Sequence, residues 1–372
     1  MLSAARKSPS AMTFSDLRSG MGKCFILSCT IKNKIEKELK RFLRDIDKNY
    51  SVSKISPLLF RSIENFILRS GKRIRPLLFC VGYLGFTKKP AKNLYRSALS
   101  IELLHDFMLV HDDIIDKSDT RRGLPSMHRM LDLKLKGYGK IKFNGGDLAI
   151  VIGDVMYALA ISAFLSIEEK LERKEIALKK FVEAAFYTGS GEFIELLYGK
   201  ERLENITREY IYKIYDLKTA YYSFAYPLSI GAILSGAKKS ESDKLFQCGI
   251  YLGRAFQIKN DILGLFSQEN RIGKSNLTDL QEAKKTILIW YAYKNSNKTD
   301  KLSIKKIFSK SNIEKNDLHK IRDIVRKTDA LKKAHDEINY FHYQAQKIIS
   351  SSKINSQYKK LLNNYSQEVL KI

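Results

Sequence analysis

Proline and glycine are scarce in this chain of 372 residues, which has six prolines and twenty glycines. Because both residues interrupt regular helices, their scarcity predicts long helices joined by few turns. Strand-like alternation is rare, and apolar residues recur at helical spacing in eight segments and through most of the C-terminal third. The eight segments are residues 32–47, 57–70, 97–116, 147–168, 174–197, 207–234, 241–266 and 279–294. The sequence therefore predicts an all-α fold, a bundle of more than four helices.

Long apolar runs, paired cysteines and acidic residues are also in short supply. No window approaches eighteen uninterrupted apolar residues, so we predict no transmembrane segment. The four cysteines lack metal-ligand spacing, which is typical of reduced thiols in an intracellular protein. Lysine and arginine outnumber the acids by 66 to 40. This excess favours anionic partners. Since it is diffuse and no nucleic-acid motif accompanies it, we interpret it as a solvated surface and predict no nucleic-acid partner.

The first twenty residues have a composition of their own, with three basic residues and the single acid Asp16. This resembles an organellar transit peptide, and a disordered extension or a start codon placed too early fits at least as well. We predict an N-terminal extension over residues 1–30 and one all-α domain over residues 31–372. A cytoplasmic location is expected, with organellar targeting by the extension as the alternative.

Three aspartates near the end of a predicted helix are the most informative pattern. Asp112, Asp113 and Asp116 are spaced so that one helical turn presents all three carboxylates. Mg²⁺ binds through such carboxylates together with substrate phosphates. Arg121 and Arg122 follow, and paired guanidinium groups suit phosphate oxygens. Taken alone, the pattern fits solvated ion pairs equally well; together with other such groups it indicates a metal–diphosphate site.

A second group of oxygen donors interrupts an apolar helix much later in the chain, at Asn260 and Asp261. Apolar helices seldom carry a charge unless it is paired or bound to metal. Basic residues accompany both groups. Lys72 and Arg75 lie at a helix boundary, Lys218 lies in an aromatic-rich helix and is followed by Thr219, and Lys274 and Lys284 follow the apolar helix. The combination predicts one cavity with metal-binding oxygens on opposing walls and cations around its rim.

In these motifs the chain resembles trans-prenyl diphosphate synthases, most closely geranylgeranyl diphosphate synthases of the archaeal type. The five motifs, in order, are Gly-Lys-Arg-Ile-Arg-Pro at 71–76, Asp-Asp-Ile-Ile-Asp with the arginine pair at 112–122, Lys-Thr at 218–219, Phe-Gln-Ile-Lys-Asn-Asp at 256–261, and Gly-Lys through lysine at 273–284. The resemblance covers residue 31 to the C-terminus. It implies a helical bundle of the isoprenoid synthase type around a central cavity, and condensation of isopentenyl diphosphate with an allylic diphosphate. It also implies three Mg²⁺ ions per site and a homodimer, for which helix 97–110 is a candidate interface.

The resemblance further implies a role for each motif residue. Two Mg²⁺ ions would be bound by Asp112 and Asp116 with support from Asp113, and the third by Asn260 and Asp261. The allylic diphosphate would be held by Arg121, Lys218, Lys274 and Lys284. Isopentenyl diphosphate would be held by Lys72, Arg75, His105 and Arg122. The expected catalytic residues are Lys218, Thr219 and Gln257, the last two directing oxygen dipoles at the allylic cation.

This chain departs from the family pattern at several positions. Asn260 replaces a residue that is usually a direct Mg²⁺ ligand, and a neutral amide oxygen should bind Mg²⁺ less tightly than a carboxylate. Gly264 stands where many relatives have a third aspartate. Glu192 and Glu195 occupy a segment in which relatives often have glutamine and aspartate. The departures leave the activity expected but place the strength of the third metal site in question.

Product length in the resembled family depends on the residues just before the first acidic motif. Phe107 and Met108 lie five and four residues before Asp112, about 7.5 and 6 Å away along an ideal helix. An aromatic residue followed by a smaller one resembles the archaeal geranylgeranyl synthases, so we predict a twenty-carbon product. The alternative is ordinary core packing, in which the pliable methionine permits a deeper pocket.

Two other functions remain open from the sequence. A class I terpene cyclase is the nearest, because Asn260, Asp261 and Gly264 approximate the start of its metal motif. That motif requires glutamate where this chain has Gln268. The other is a non-catalytic subunit of a heteromeric prenyl synthase. Such subunits typically lose one acidic motif, whereas this chain largely keeps both.

Overall fold

The structure, a computed structural model, describes residues 20–267 and 276–370 as a bundle of helices, which confirms the predicted all-α fold. The helices are α1 (Gly20–Tyr50), α2 (Val52–Ile55), α3 (Pro57–Ile67), α4 (Ile74–Leu84), α5 (Leu94–Ile115), α6 (Met127–Leu135), α7 (Gly145–Leu165), α8 (Leu171–Gly199), α9 (Arg208–Tyr215), a π-helix (Asp216–Ala225), α10 (Tyr226–Ser235), α11 (Lys239–Phe266), α12 (Thr278–Gln281), α13 (Ile287–Asn295), α14 (Lys298–Phe308), α15 (Lys315–Lys327), α16 (Ala330–Ser351) and α17 (Ser356–Leu370). Most of the predicted N-terminal extension lies outside the described residues, and α1 already begins at Gly20.

A short hairpin after α5 holds the only strands in the described part of the chain, β1 (Thr120–Arg121) and β2 (Leu124–Pro125). Between them, Arg122 and Gly123 both have positive φ, of 56° and 75°. Glycine adopts this conformation at no steric cost, whereas arginine does so rarely. The tight turn directs the two arginines back toward the acidic end of α5.

Helix α5 lies in the interior of the bundle rather than at a surface. Leu99, Leu103 and Leu104 are fully buried, and α5 packs along α7. The expectation that helix 97–110 forms a dimer interface is therefore wrong, because its apolar side chains are used within the chain. Exposed apolar side chains lie instead on α7 and α8: Ile150, Val151, Leu165, Ile176, Val182, Phe186, Phe193, Leu196 and Leu197. We call this set the α7–α8 face.

Glycines allow α8 and α11 to approach the π-helix closely, and α7 to approach α5. A Cβ added at Gly191 of α8 would lie 2.8 Å from the backbone nitrogen of Lys218. One added at Gly253 of α11 would lie 2.4 Å from Ala220. Gly153 of α7 faces the His111 ring of α5 in the same way. Because α8 and α11 both contact the π-helix backbone, their side chains converge on its polar face.

Two predicted helices are interrupted, both at the candidate site. The segment predicted as one helix over 207–234 contains ten residues of π-helix, a form often found at functional sites. The segment predicted over 279–294 breaks between α12 and α13, where Ala283 has a φ of 53°. This break releases Lys284 from the helix and turns it toward the acidic groups. Helical periodicity alone does not reveal either interruption.

Helix α7 is the one described helix that is long and apolar enough to cross a membrane by length and composition. Less than half of its most apolar window, 44%, is buried inside the chain. Its buried side, including Ala149, Ile152 and Met156, packs against α5 in the core. The apolar side chains of α7 therefore belong to the core on one side of the helix and to the α7–α8 face on the other.

Arg73 is a buried cation at the start of α4. Its side chain is 1% exposed, and the residue adopts a φ of 50°. The guanidinium group donates to Glu36 and Glu102 at 2.9 Å, and to the carbonyl oxygens of Ile67 and Arg69 at 3.0 Å. It therefore fixes the loop between α3 and α4, which carries Lys72 and leads directly into Arg75 at the start of α4.

We predict that Arg73→Met destabilises the fold strongly, because it leaves the buried Glu102 carboxylate without its cation. Removing one partner of a buried ion pair costs about 3–5 kcal/mol. Urea unfolding followed by circular dichroism measures the change. Arg129→Met is the matched control, since Arg129 pairs with Asp119 at the surface, where a pair contributes less than about 1 kcal/mol. Equal losses in the two variants would contradict the assignment.

Candidate active site

The first acidic group is assembled by α5 and α8. Asp112 and Asp116 lie one turn apart at the end of α5, and Glu192 projects toward them from α8. One carboxylate oxygen from each lies within 4.8 Å of the others. Burial, followed by the nearby Asp112 charge, raises the pKa of Asp116 above its usual range. The three carboxylates therefore concentrate negative charge where solvent is largely excluded.

Asp113 differs from its two neighbours in the same motif. Its side chain is fully buried and accepts a hydrogen bond from Arg121 Nε at 2.8 Å. Burial raises the pKa of Asp113 to about 6, against the opposing effect of Arg121. Arg121 also contacts Asp112 at 3.0 Å. Asp113 therefore pairs with Arg121 and does not belong to the group formed by Asp112, Asp116 and Glu192.

Lys218 lies on the π-helix and contacts three carboxylates. Its Nζ atom lies 2.6 Å from Glu192, 2.5 Å from Glu195 and 3.5 Å from Asp112. Burial lowers the pKa of Lys218, but the surrounding carboxylates outweigh this effect and raise it well above its usual value. Lys218 is therefore a fixed positive charge beside the first acidic group.

The second group of oxygen donors lies on α11. Asn260 lines the cavity, and the adjacent Asp261 carboxylate is buried. Asp261 accepts hydrogen bonds from the Tyr215 hydroxyl and from Gln257 Nε2. Burial raises the pKa of Asp261 to about 7. Gln257 also accepts a hydrogen bond of 2.8 Å from Thr219, so one connected network joins the π-helix to α11.

Lys284 contacts the first acidic group from the break between α12 and α13. Its Nζ atom lies 3.9 Å from Asp116 and 3.9 Å from Asp279, and it also contacts Glu282. The nearby carboxylates raise the pKa of Lys284 against the opposing effect of burial. Like Lys218, it stays charged at neutral pH.

One cavity of about 300 Å³ is lined by the second group of oxygen donors, Asn260 and Asp261, together with Lys218 and Lys284. These two lysines contact Asp112 and Asp116 of the first acidic group, respectively. The rest of the lining is mostly apolar and aromatic, including Tyr198, Tyr210, Ile211 and Ile214. Lys218 and Lys284 therefore connect the cavity to the first acidic group.

A second basic pocket lies between α4, α5 and the π-helix. Arg75 donates to the Tyr222 hydroxyl at 2.9 Å and to Ser223 at 2.8 Å. Its guanidinium group also lies 4.6 Å from the Tyr222 ring centroid. His105 Nδ1 lies 3.2 Å from the same hydroxyl. Burial, followed by the charge of Arg75, lowers the pKa of His105 well below its usual value, so its ring is neutral.

Arg122 completes this pocket through a buried partner. It donates to Asp106 Oδ1 at 3.0 Å, and the Asp106 side chain is fully buried. Burial raises the pKa of Asp106 to about 7. The second oxygen of Asp106 and the Nη1 atom of Arg122 have no hydrogen-bond partner among the described residues. The arginine is therefore held in place on one side and keeps donor capacity on the other.

The described contacts do not place two of the predicted phosphate ligands, Lys72 and Lys274. Lys72 is exposed beside the buried Arg73, and no described contact directs its amino group into the basic pocket. Lys274 lies outside the described residues, within the segment 268–275. Neither position is tested by the described contacts.

The predicted chain-length residues lie on the side of α5 that faces α7. Phe107 and Met108 are half-buried. The Phe107 ring centroid lies 5.2 Å from that of Tyr157 and 4.7 Å from that of His111. Tyr157 therefore forms a second layer behind Phe107, which spacing within α5 cannot reveal.

Sequence reasoning missed several polar residues of the site, among them Tyr215, Tyr222, Asp106 and Tyr157. The Tyr215 hydroxyl contacts Asp261, and the Tyr222 hydroxyl contacts Arg75 and His105. The available signal was their position beside Lys218, since tyrosine hydroxyls in a buried site need polar partners.

Comparison with known proteins identifies the family. A sequence profile described as polyprenyl synthetase matches residues 56–325. The chain belongs to the polyprenyl synthetase family. It is therefore a trans-prenyltransferase of the geranylgeranyl/farnesyl diphosphate synthase type.

Individual relatives and solved structures agree with this assignment. The chain is 31% identical over 292 residues to geranylgeranyl diphosphate synthase of Sulfolobus acidocaldarius, covering 78% of this chain and 83% of that protein. It is 28% identical over 305 residues to a short chain isoprenyl diphosphate synthase of Methanocaldococcus jannaschii, covering 82% and 84%. Its fold resembles the crystal structure of geranylgeranyl pyrophosphate synthetase from Pyrococcus horikoshii, with a TM-score of 0.78, 26% identity, and coverage of 94% and 99%. This polyprenyl synthase thus has the predicted isoprenoid synthase fold.

The donor set fits the Mg²⁺ that this family uses. Mg²⁺ takes oxygen ligands from one or two carboxylates together with substrate phosphates, and clustered oxygens of Asp112, Asp116 and Glu192 meet this requirement. Asp261 and Asn260 offer two more oxygens across the cavity. No thiolate or imidazole in the described residues joins either group, so the chemistry of the site suits a hard cation.

Proposed function

We propose that this polyprenyl synthase condenses isopentenyl diphosphate with an allylic diphosphate and releases mainly geranylgeranyl diphosphate. The observation that carries the proposal is a cavity lined by Asn260, Asp261, Lys218 and Lys284, whose two lysines contact Asp112 and Asp116 of the first acidic group. A separate basic group contains Arg75 and Arg122, each held by hydrogen bonds to buried polar side chains. One site for the diphosphate of the ionising substrate and another for the diphosphate of the acceptor match a two-substrate condensation.

Ionisation of the allylic substrate leaves a diphosphate, whose growing charge must be neutralised. We propose three Mg²⁺ ions, held by Asp112 and Asp116 and, across the cavity, by Asp261 and Asn260. Bound Mg²⁺ would stabilise the negative charge on the leaving diphosphate. Lys218, Lys284, Lys274 and Arg121 would contact the same group, and Asp113 would orient Arg121 through their buried ion pair. Preorganised charges of this kind are the largest source of rate enhancement in many enzymes.

The allylic cation requires oxygen dipoles without a competing nucleophile. Thr219 donates its proton to Gln257, which leaves the lone pairs of the Thr219 hydroxyl oxygen free to face the cation. The isopentenyl double bond is then the available nucleophile. The released diphosphate is the proposed base for the final proton loss, because no protein acid–base pair stands in the apolar part of the cavity, within the described residues.

Isopentenyl diphosphate would occupy the basic pocket formed by Arg75, His105 and Arg122, with Lys72 at its edge. Arg75 is oriented by Tyr222 and Ser223, and Arg122 by Asp106. The neutral His105 ring can donate one hydrogen bond without adding charge. A terpene cyclase has no second diphosphate to bind, so this preorganised pocket favours the synthase over the cyclase.

We predict that Arg122→Gln raises the KM for isopentenyl diphosphate about ten- to a hundredfold, because a hydrogen bond to a charged group contributes about 1.5–3 kcal/mol. The KM for the allylic primer should change much less. Initial-rate kinetics with each substrate varied in turn measure both constants. Asp106→Asn should produce a smaller change in the same direction. Equal effects on both substrates would contradict the separate pocket.

We propose that the enzyme is a homodimer assembled through the α7–α8 face. Phe186 is 66% and Phe193 65% exposed in the isolated chain. Large exposed apolar side chains in such number are typical of interaction sites in soluble proteins. Helix α8 also supplies Glu192, and α7 packs against α5. The interface would therefore support the walls of the active site.

We predict that Phe186→Lys converts the dimer to a monomer, because it places a charge in an apolar interface. Size-exclusion chromatography with multi-angle light scattering measures the mass directly. Leu302→Lys is the matched control, since Leu302 is also 66% exposed but lies on α14. A single-protomer mass for the unaltered protein would contradict the proposed assembly.

We also propose a cytoplasmic location, with the first thirty residues as the segment to test for organellar targeting. Their basic composition supports the alternative. Fusion of residues 1–30 to a fluorescent protein would separate the two, since only a targeting segment redirects the fusion.

The proposed reaction is tested by incubating the purified protein with Mg²⁺, labelled isopentenyl diphosphate and each allylic primer in turn. We expect products lengthened in five-carbon steps, with twenty carbons predominating. No extension of any primer would overturn the proposal. A cyclic hydrocarbon formed from a single substrate would identify a cyclase instead.

A further inference from the structure

The connection between α6 and α7 carries a concentration of positive charge. Residues 133–146 contain four lysines and no acidic residue, against 66 basic and 40 acidic residues in the whole chain. The four lysines are Lys134, Lys136, Lys140 and Lys142. All four are exposed, and none has a carboxylate partner within the described part of the chain. We call residues 133–144, the end of α6 with the following loop, the basic loop.

Large apolar side chains alternate with these lysines. Leu133, Tyr138 and Phe143 are all exposed, Tyr138 to 64%. Tyr138 stands between Gly137 and Gly139, where an added Cβ would meet no atom within 4 Å of either position. The tyrosine ring therefore lies at an open tip instead of packing against the protein. No residue of the basic loop, all of which the structure describes, lines the active-site cavity.

Both ends of the basic loop are fixed to the protein. Asp132 Oδ1 accepts a hydrogen bond of 2.7 Å from the Gly145 backbone nitrogen, which ties the end of α6 to the start of α7. Asn144 and Asp147 form a capping box at the start of α7. A loop held at both ends loses less conformational entropy when its tip binds a partner. Its exposed side chains are therefore presented at a defined place on the surface.

The combination of lysines with exposed apolar side chains suits the surface of an anionic lipid bilayer. Tyrosine, phenylalanine and leucine side chains insert at the level of the headgroups. Lysine stems cover apolar surface while their amino groups reach anionic headgroups. Nucleic acid also attracts lysine, but Leu133 offers no ring on which a base can stack, and the basic loop has no arginine for bidentate base contacts. The chemistry therefore favours lipid over nucleic acid.

We propose that the basic loop docks the enzyme on the surface of an anionic membrane, with Tyr138 and Phe143 inserted among the headgroups and the four lysines on anionic lipid. The docking is peripheral and reversible, because one loop buries little apolar area. This inference goes beyond the proposed reaction and does not depend on it. A synthase held at this surface would release a long isoprenoid chain beside the phase that dissolves it.

Sedimentation of the full-length protein with lipid vesicles tests the proposal. Vesicles of equal parts phosphatidylcholine and phosphatidylserine should bind the protein at least about tenfold more tightly than vesicles of phosphatidylcholine alone. Binding should weaken as salt is added. Lys140→Gln combined with Lys142→Gln should weaken binding to the anionic vesicles about twenty-five-fold, since each lysine near such a surface contributes about fivefold.

A matched pair of substitutions separates the basic loop from net charge. Lys306→Gln combined with Lys315→Gln removes the same charge from exposed positions on α14 and α15, and this variant should bind vesicles nearly as the unaltered protein does. Tyr138→Ser keeps the charge but removes the exposed ring, so it should weaken binding severalfold. Activity measured without vesicles should be the same in all these variants. Thermal unfolding verifies that each is folded.

Four results would overturn the proposal. One is the absence of binding between the unaltered protein and the anionic vesicles. Another is equal weakening by the two lysine pairs, because it would show a response to net charge alone. A third is binding of a single-stranded oligonucleotide through the same lysines without vesicle binding, which would identify nucleic acid as the partner. The last is a single-protomer mass for Tyr138→Ser when the unaltered protein is a dimer, which would assign the loop to the subunit interface.

The vesicle measurement needs no substrate and no metal ion. Failure of the proposed reaction in the unaltered enzyme is therefore visible separately from failure of membrane docking.

Discussion

Replacing Asp112 with alanine should reduce kcat/KM by at least about a thousandfold. The substitution removes a carboxylate that lies within 4.8 Å of those of Asp116 and Glu192, and with it a proposed ligand of the cations that neutralise the leaving diphosphate. Loss of one preorganised group that stabilises transition-state charge costs about 10²–10³ in rate. Loss of metal binding adds to that cost. Steady-state condensation assays at saturating Mg²⁺ measure the change.

The fold of Asp112→Ala should remain intact, because Asp112 is at the cavity and Arg121 keeps its ion pair with the buried Asp113. Circular dichroism melting checks this point. Asp243→Ala is the control, since Asp243 is an exposed surface residue paired with Lys239. A folded Asp112→Ala enzyme with more than a tenth of normal activity would rule out the first acidic group as the diphosphate clamp.

Phe107→Ala should change the identity of the main product from twenty carbons to twenty-five carbons or longer. Phe107 lies on α5 before the acidic motif, and its ring packs against Tyr157 of α7. Removing the ring opens space beneath the growing chain, while Tyr157 limits the gain. The additional change Tyr157→Ala should therefore lengthen the product further. Chromatography of the dephosphorylated products measures the distribution.

Phe107→Tyr is the matched control for this prediction, because it keeps the aromatic bulk and should keep the twenty-carbon product. Relatives of this chain include both geranylgeranyl and geranylfarnesyl diphosphate synthases, so a shift of one five-carbon unit is within the range of the fold. An active Phe107→Ala enzyme with an unchanged product distribution would show that Phe107 is ordinary core packing.

The sequence predicted the helical architecture and the main site residues because both depend on local patterns. Periodic apolar residues mark helices, and the aspartates of α5 are close in the chain as well as in space. Asn260 and Asp261 were recognisable because oxygen donors interrupt an apolar helix. Their chemistry predicted that the two groups converge on one cavity; the structure places Asn260 and Asp261 in its lining, together with two lysines that contact Asp112 and Asp116.

Features that depend on contacts between helices were not predictable from the chain. The break that turns Lys284 toward Asp116 lies within a segment with helical periodicity. The buried pairing of Arg122 with Asp106 requires the hairpin to fold back onto α5. The dimer surface was placed on α5 because that helix is apolar, whereas apolarity alone does not separate an interior helix from an interface.

Crystals of the enzyme grown with Mn²⁺ and a non-ionisable allylic diphosphate analogue give the most direct test of the clamp. Anomalous scattering locates each Mn²⁺ ion independently of the protein coordinates. The account predicts metal ions between the analogue diphosphate and Asp112 and Asp116 on one side, and at least one between the same diphosphate and Asp261 on the other. A diphosphate bound with metal on one side only, or bound away from these aspartates, would contradict it.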